Sequence, residues 1–264
     1  MEAGAVDLCR TTAPTFLSRP GGPSDVCADG GAVWAHCDLP ANEYQERQRG
    51  PQNYGPARQV FMRPFAIVVG SGGSAVDRAL WLELGRYISL AHWAAVGSYA
   101  PVVLDTELGE HEDRNLVLLG GPRYNGVLRH ALETSASAWP PVTFQSDDAG
   151  ATVGYRLAAS CEHTGPSLGL GFVVPLPSPG VESGAEPRLA LVLDGTDATG
   201  LRNLVSFSYS SNQPLTRAAF TNMFPDFVLV GPEFESKGYG GVLAAGFWGH
   251  DWSWSSATSF TAWC

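Results

Sequence analysis

The chain has 264 residues, a hydrophobic content of 44% and a net charge of −10, with Lys237 as its single lysine. That is ample material for a core. An acidic chain with no basic block argues against a nucleic-acid partner, because phosphate backbones are held by clustered Lys and Arg. No run of about 18 apolar residues is present to cross a bilayer, and the first residues lack the basic and apolar regions of a secretory signal.

Residues 1–59 read as a loop-rich N-terminal extension packed on a main α/β domain over residues 60–264. The extension is rich in Pro and Gly and poorly periodic. Its AVWA run at 32–35 is suited to pairing as a strand, and the polar stretch 42–56 reads as a linker. Cys9, Cys27 and Cys37 fall in this extension, where a disulfide staple suits a segment without a core. Cys161 and Cys264 complete the five cysteines. No C-x-x-C pair is present, so a structural zinc site is not expected, and no cofactor is expected.

From residue 60 the pattern becomes regular. The run FAIVV at 65–69 is short, apolar and β-branched, as in a strand buried on both faces. The loop GSGGS at 70–74 follows, and residues 75–96 then have helical spacing, with Leu80, Leu84, Tyr87, Ile88 and Ala91 on one stripe. Strands are predicted at 101–104, ending at Asp105, and at 116–119, followed by Gly120, Gly121 and a helix through Val127, Leu128 and Leu132. Residues 139–180 read differently, as short strands at 142–144, 152–155 and 168–174 in an antiparallel excursion or flap. A buried strand at 189–193, a short helix after Asp197 and a last strand at 227–230 precede a Gly-rich, aromatic tail. This cadence predicts a three-layer α/β fold with a mostly parallel sheet, Gly-rich strand-to-helix loops and an antiparallel β excursion.

In such sheets ligands collect beyond the carboxyl ends of the strands. The candidate ligand-binding residues are therefore Gly70, Ser71, Gly72, Gly73, Ser74, Asp105, Gly120, Gly121, Asn125, Asp194 and Asp197. The 70–74 loop is placed to offer backbone N–H groups to a phosphate, although its glycines equally suit a tight strand-to-helix turn. Three carboxylates at one edge are able to hold a cation or act as acid and base, but Asp before a helix is also an ordinary N-cap. A catalytic alternative is a serine hydrolase: residues 165–169 spell G-x-S-x-G around Ser167, with Asp194 or Asp197 and then His250 following in α/β-hydrolase order. Against it, Ser167 leads into a strand, not onto an elbow before a helix. A Cys161–His163 nucleophile pair is set aside on the expectation that the two side chains diverge. The tryptophans at 248, 252 and 254 read as core closure, with a stacking platform for a ligand as the other option.

Several of these runs taken together (GPARQV at 55–60, APVVLDT at 100–106, NLVLLGGP at 115–122, LVLDGTD at 191–197 and MFPDFVLVGP at 223–232) resemble a region towards the carboxyl end of large microbial and fungal proteins of the prolyl-oligopeptidase-like, α/β-hydrolase type. The resemblance covers roughly residues 50–255. It implies that a catalytic triad would sit in a separate hydrolase module, leaving this region as a non-catalytic accessory or binding domain whose partner is that module or a small molecule. A stand-alone hydrolase and a nucleotide- or sugar-phosphate-binding protein are the alternatives. If the chain is part of a longer secreted precursor, an extracellular setting is favoured.

Overall fold

A computed structural model describes residues 15–18, 35–38, 49, 56–134, 141–158, 161–176, 188–207, 224–249 and 252–262. In the extension, β1 (Thr15–Ser18) and β2 (Ala35–Asp38) form an antiparallel pair. The main domain begins with a 3-10 turn at Ala57–Met62 and β3 (Phe65–Val69), every residue of which is buried. Helix α1 (Ala75–Val96) starts at a capping box, in which Ser74 and Asp77 satisfy each other's backbone N–H, and stops at Gly97 with φ +70°. It buries Leu80, Leu84 and Ile88 as the stripe predicts, together with Trp81, which the stripe omits. Then follow β4 (Val102–Leu104), β5 (Asn115–Leu119), α2 (Gly126–Thr134), β6 (Val142–Ser146), β7 (Thr152–Leu157), β8 (Cys161–Thr164), β9 (Gly169–Leu176) and β10 (Arg188–Gly195). Helix α3 (Ala198–Phe207), β11 (Phe227–Val230), a one-turn helix α4 (Phe234–Lys237), β12 (Val242–Gly246) and β13 (Ser259–Thr261) complete the order.

The mostly parallel, three-layer expectation is wrong. The main sheet is mixed, with eight strands in the order β13-β12-β11-β9-β10-β5-β3-β4. The pairings β4–β3, β3–β5 and β5–β10 are parallel, whereas β10–β9, β9–β11, β11–β12 and β12–β13 are antiparallel. The difference turns on β9. Its apolar run was assigned to the peripheral flap, yet it lies between β10 and β11, pairing with β10 from Gly169↔Gly195 to Arg188↔Leu176. A continuous apolar run identifies a buried strand but carries no information about its direction. Only β6, β7 and β8 form the separate antiparallel sheet. Helices do not cover both faces evenly: α1 packs on β3 and β4, and α3 on β9, β10 and β11, with the two helices also touching each other. The opposite face receives the three-stranded sheet, whose Phe144 ring lies 6.0 Å from Phe172 of β9.

Helix α3 sits unusually close to β9. A Cβ on Gly200 would fall well inside contact distance of the Leu168 carbonyl oxygen, and one on Gly169 would meet the Gly200 carbonyl. Both obstacles are backbone, so no rotamer change relieves them. Gly200→Ala is therefore expected to cost more than about 3 kcal/mol, at or beyond the top of the roughly 1–3 kcal/mol typical of overpacking. The shift in urea midpoint measures it, with Gly240→Ala, whose new methyl meets only Lys237 Cβ at 3.4 Å, as the near-neutral control. A cost below about 1 kcal/mol would contradict the tight approach.

Candidate functional site

The carboxyl ends of β3, β5 and β10 lie at one edge of the sheet, and the start of β9 joins them there by antiparallel pairing. The 70–74 loop packs directly on the 120–125 loop: a Cβ on Gly70 would lie 2.7 Å from the Tyr124 carbonyl oxygen. Four of its N–H groups are used within the protein. Gly70 N donates to Leu119 O, Gly72 N to Tyr124 O, Ser71 N to Asp105 Oδ1 at 3.0 Å and Ser74 N to Asp77 Oδ2 at 3.1 Å. Gly120 N in turn donates to Leu193 O. Asp105 clasps two loops, since its other oxygen accepts from Gly126 N at 2.6 Å. Asn125 is fully buried and stitches β3 to β5, donating to Val68 O and Leu119 O while its oxygen accepts from the first N–H groups of α2. These residues converge at the edge as the sequence suggests, and they bond to one another.

Asp194 is the perturbed carboxylate at this edge. It is 3% exposed and accepts from Tyr155 Oη at 3.1 Å, from Thr152 and from the N–H groups of Gly195 and Gly121. Burial pushes its pKa up to about 6, and those hydrogen bonds pull in the opposite direction. Burial, followed by the charge of Asp194, lifts the Tyr155 hydroxyl well above its usual value.

Asp197 is the carboxylate that meets Ser167. Its Oδ2 accepts from Ser167 N at 2.8 Å and from Ser167 Oγ at 3.2 Å, while Oδ1 accepts from Gly200 N and so caps α3. Thr196 Oγ1 holds Leu168 N beside it at 3.1 Å. Ser167 has φ +59°, but its turn links β8 to β9, strand to strand, with no helix dipole behind the hydroxyl. Asp194 is engaged elsewhere, and His250 lies outside the described residues. Asp105, Asp194 and Asp197 therefore serve three different joints. Among the described residues no group of three His, Cys, Asp or Glu is placed to hold a metal.

The expectation that Cys161 and His163 diverge is corrected: residues two apart on a strand share a face, and Cys161 Sγ lies 3.3 Å from His163 Nε2. Cys161 is disulfide-bonded, so its sulfur is not a free nucleophile. Cys9, Cys27 and Cys264 lie outside the described residues. His92 packs edge-on to Phe65 at 4.8 Å, and burial lowers its pKa.

The aromatic tail closes the opposite end of the sheet, since Gly246 pairs with Phe227 and Phe227 with Phe172, away from the Gly-rich loops. Trp248 stacks on Phe227 at 4.4 Å and donates from Nε1 to Val173 O. Arg49 reaches this cluster from the extension: its guanidinium makes hydrogen bonds of 2.5 and 2.9 Å to Asp226 and lies 4.6 Å from the Trp252 ring centroid. Asp226, fully buried, also accepts from Trp248 N at 2.8 Å. Burial raises its pKa, against the pull of Arg49. Sequence reasoning missed this pair because 177 positions separate its members and neither stands in a motif. Nearby, an open groove of about 680 Å³ runs between Phe207, Pro225, Tyr239, Phe247 and Phe260.

Neither protein-family models nor curated protein sequences yield a match to the chain. Among the described residues no helix is long and apolar enough to cross a membrane.

Arg49→Ala leaves the Asp226 charge buried without its partner, and a loss of about 3–5 kcal/mol is expected. The double variant Arg49→Met/Asp226→Asn, which keeps an acceptor for Trp248 N, is expected to recover part of that loss. Urea unfolding of the single and double variants checks this, and a double variant no more stable than Arg49→Ala would contradict a charge-driven effect.

Proposed function

We propose that this chain is a non-catalytic accessory or binding module working alongside a hydrolase. The observation that carries the reading is the state of the polar groups at the carboxyl edge. The N–H groups of Gly70, Ser71, Gly72 and Ser74 and the side chains of Asp105, Asn125, Asp194 and Asp197 are bonded within the same chain. An active site needs groups aimed at a substrate, whereas these groups close seams. The link to a hydrolase rests on the resemblance of residues 50–255 to the carboxyl region of prolyl-oligopeptidase-like proteins. The groove beside Phe207 and Phe260 offers a ligand a concave apolar surface, within the roughly 300–1,000 Å³ typical of ligand sites.

One observation favours a serine hydrolase instead. Ser167 adopts φ +59°, a conformation that costs a non-glycine residue energy and recurs at reactive sites. Labelling with a fluorophosphonate probe separates the two readings. The accessory reading expects no labelling of the folded protein and no difference for Ser167→Ala. Labelling that disappears in Ser167→Ala would overturn it and make Ser167 a nucleophile.

A further inference from the structure

The three-stranded sheet of β6, β7 and β8 is joined to the main sheet by a polar contact as well as by rings. Asp194 stands on β10 at the face opposite α3, since it pairs with Leu170 and alternates with Leu193, which lies on the face of Gly171 and α3. Its two side-chain donors, Tyr155 and Thr152, both come from β7 of the smaller sheet. Its two backbone donors are Gly121, in the loop after β5, and Gly195, at the end of β10. The carboxylate fits because residue 121 is glycine: a Cβ there would lie 2.8 Å from Asp194 Oδ2 and 3.0 Å from Thr152 Oγ1. Among the described residues no Lys, Arg or His pairs with Asp194. A buried carboxylate held only by neutral donors is costly to ionise.

We propose that Asp194 is a pH-sensitive latch between the two sheets, holding the three-stranded sheet closed when protonated and loosening it when ionised. The closed state raises the pKa to about 6 from an ordinary 3.8. Closure is therefore fully favoured below pH 3.8 and loses that advantage as pH rises through about 6. The difference of roughly two units corresponds to about a hundredfold rise in opening across that window. Opening separates Phe144 and Tyr155 from Phe172 and bares an apolar inner face.

The other titratable groups around the latch are few. Tyr155 faces it from β7, and Asp197, in the loop after β10, acts on the same hydroxyl. His163 of β8 is opposite Tyr155 in register and so on the same face. Burial lowers the His163 pKa, so its titration favours opening as pH falls, the opposite sign. Arg123, beyond Gly121, lies over the Tyr124 ring at 5.3 Å. The flanking strands β5 and β9 carry no titratable side chain.

Hydrogen exchange of the full chain from pH 4.5 to 7.5, corrected for intrinsic rates, tests the latch. Peptides from β6, β7 and β8 are expected to open about thirtyfold more at the upper end, the part of the full window that this pH range covers, with a midpoint near 6, while β3 and α1 do not follow. Asp194→Asn is expected to abolish the dependence. Tyr155→Phe keeps the carboxylate but removes one donor to its ionised form, and so is expected to move the midpoint upward. His163→Gln is expected to leave the dependence in place. A flat profile, an opening that increases towards low pH, loss of the dependence in His163→Gln, or an unchanged midpoint in Tyr155→Phe would each overturn the proposal.

Discussion

The close approach of α3 to β9 is the constraint on which the other features depend. With Gly200 and Gly169 in backbone contact, β9 is fixed in the middle of the sheet, antiparallel to β10 and to β11. The direction of β9 converts a parallel array of β4, β3, β5 and β10 into a mixed sheet. It also brings the turn before β9 to the carboxyl edge, where Asp197 and Thr196 hold Ser167 and Leu168. From its middle β9 supplies the Val173 carbonyl to the indole of Trp248, so the strand connects the polar edge to the aromatic closure.

The carboxyl edge has the composition of a ligand site and the bonding of a seam. Glycines of the kind that open a loop to an anion instead let two loops touch, as at Gly70 and Tyr124. Carboxylates of the kind that bind a cation instead join chain segments: Asp105 the 70s loop to α2, Asp197 the Ser167 turn to α3, and Asp194 the small sheet to the large one. The same physical preference underlies both outcomes. Buried backbone N–H groups at strand ends and helix starts must find acceptors, and Asp is the compact side chain that supplies two. Where such acceptors are provided by the chain itself, the edge closes without a ligand.

Local order was legible in the sequence. The runs at 65–69 and 227–230, the helix at 75–96 and the strand cores at 116–119 and 189–193 follow from β-branched apolar stretches and helical spacing, and the structure keeps them. Convergence of residues 70–74, Asp105, 120–125 and Asp194–Asp197 at one edge also followed, because it depends only on strands β4, β3, β5 and β10 running in parallel. What was not legible depends on partners distant in sequence. The direction of β9 leaves no trace in an apolar run. Strands β12 and β13, five and three residues long, were hidden in a tail read only for its tryptophans. The Arg49–Asp226 pair joins two unremarkable positions, and the neighbourhood of Cys161 and His163 was misjudged although strand alternation alone places them together.

The Gly-rich edge is closed by its own chain. Titrating the protein with inorganic phosphate while following the amide resonances of Gly70, Ser71, Gly72, Gly73 and Ser74 tests this closure most directly. Shifts no larger than those of surface amides elsewhere are the predicted result. Saturable shifts confined to those amides would contradict the claim and make the loop an anion site.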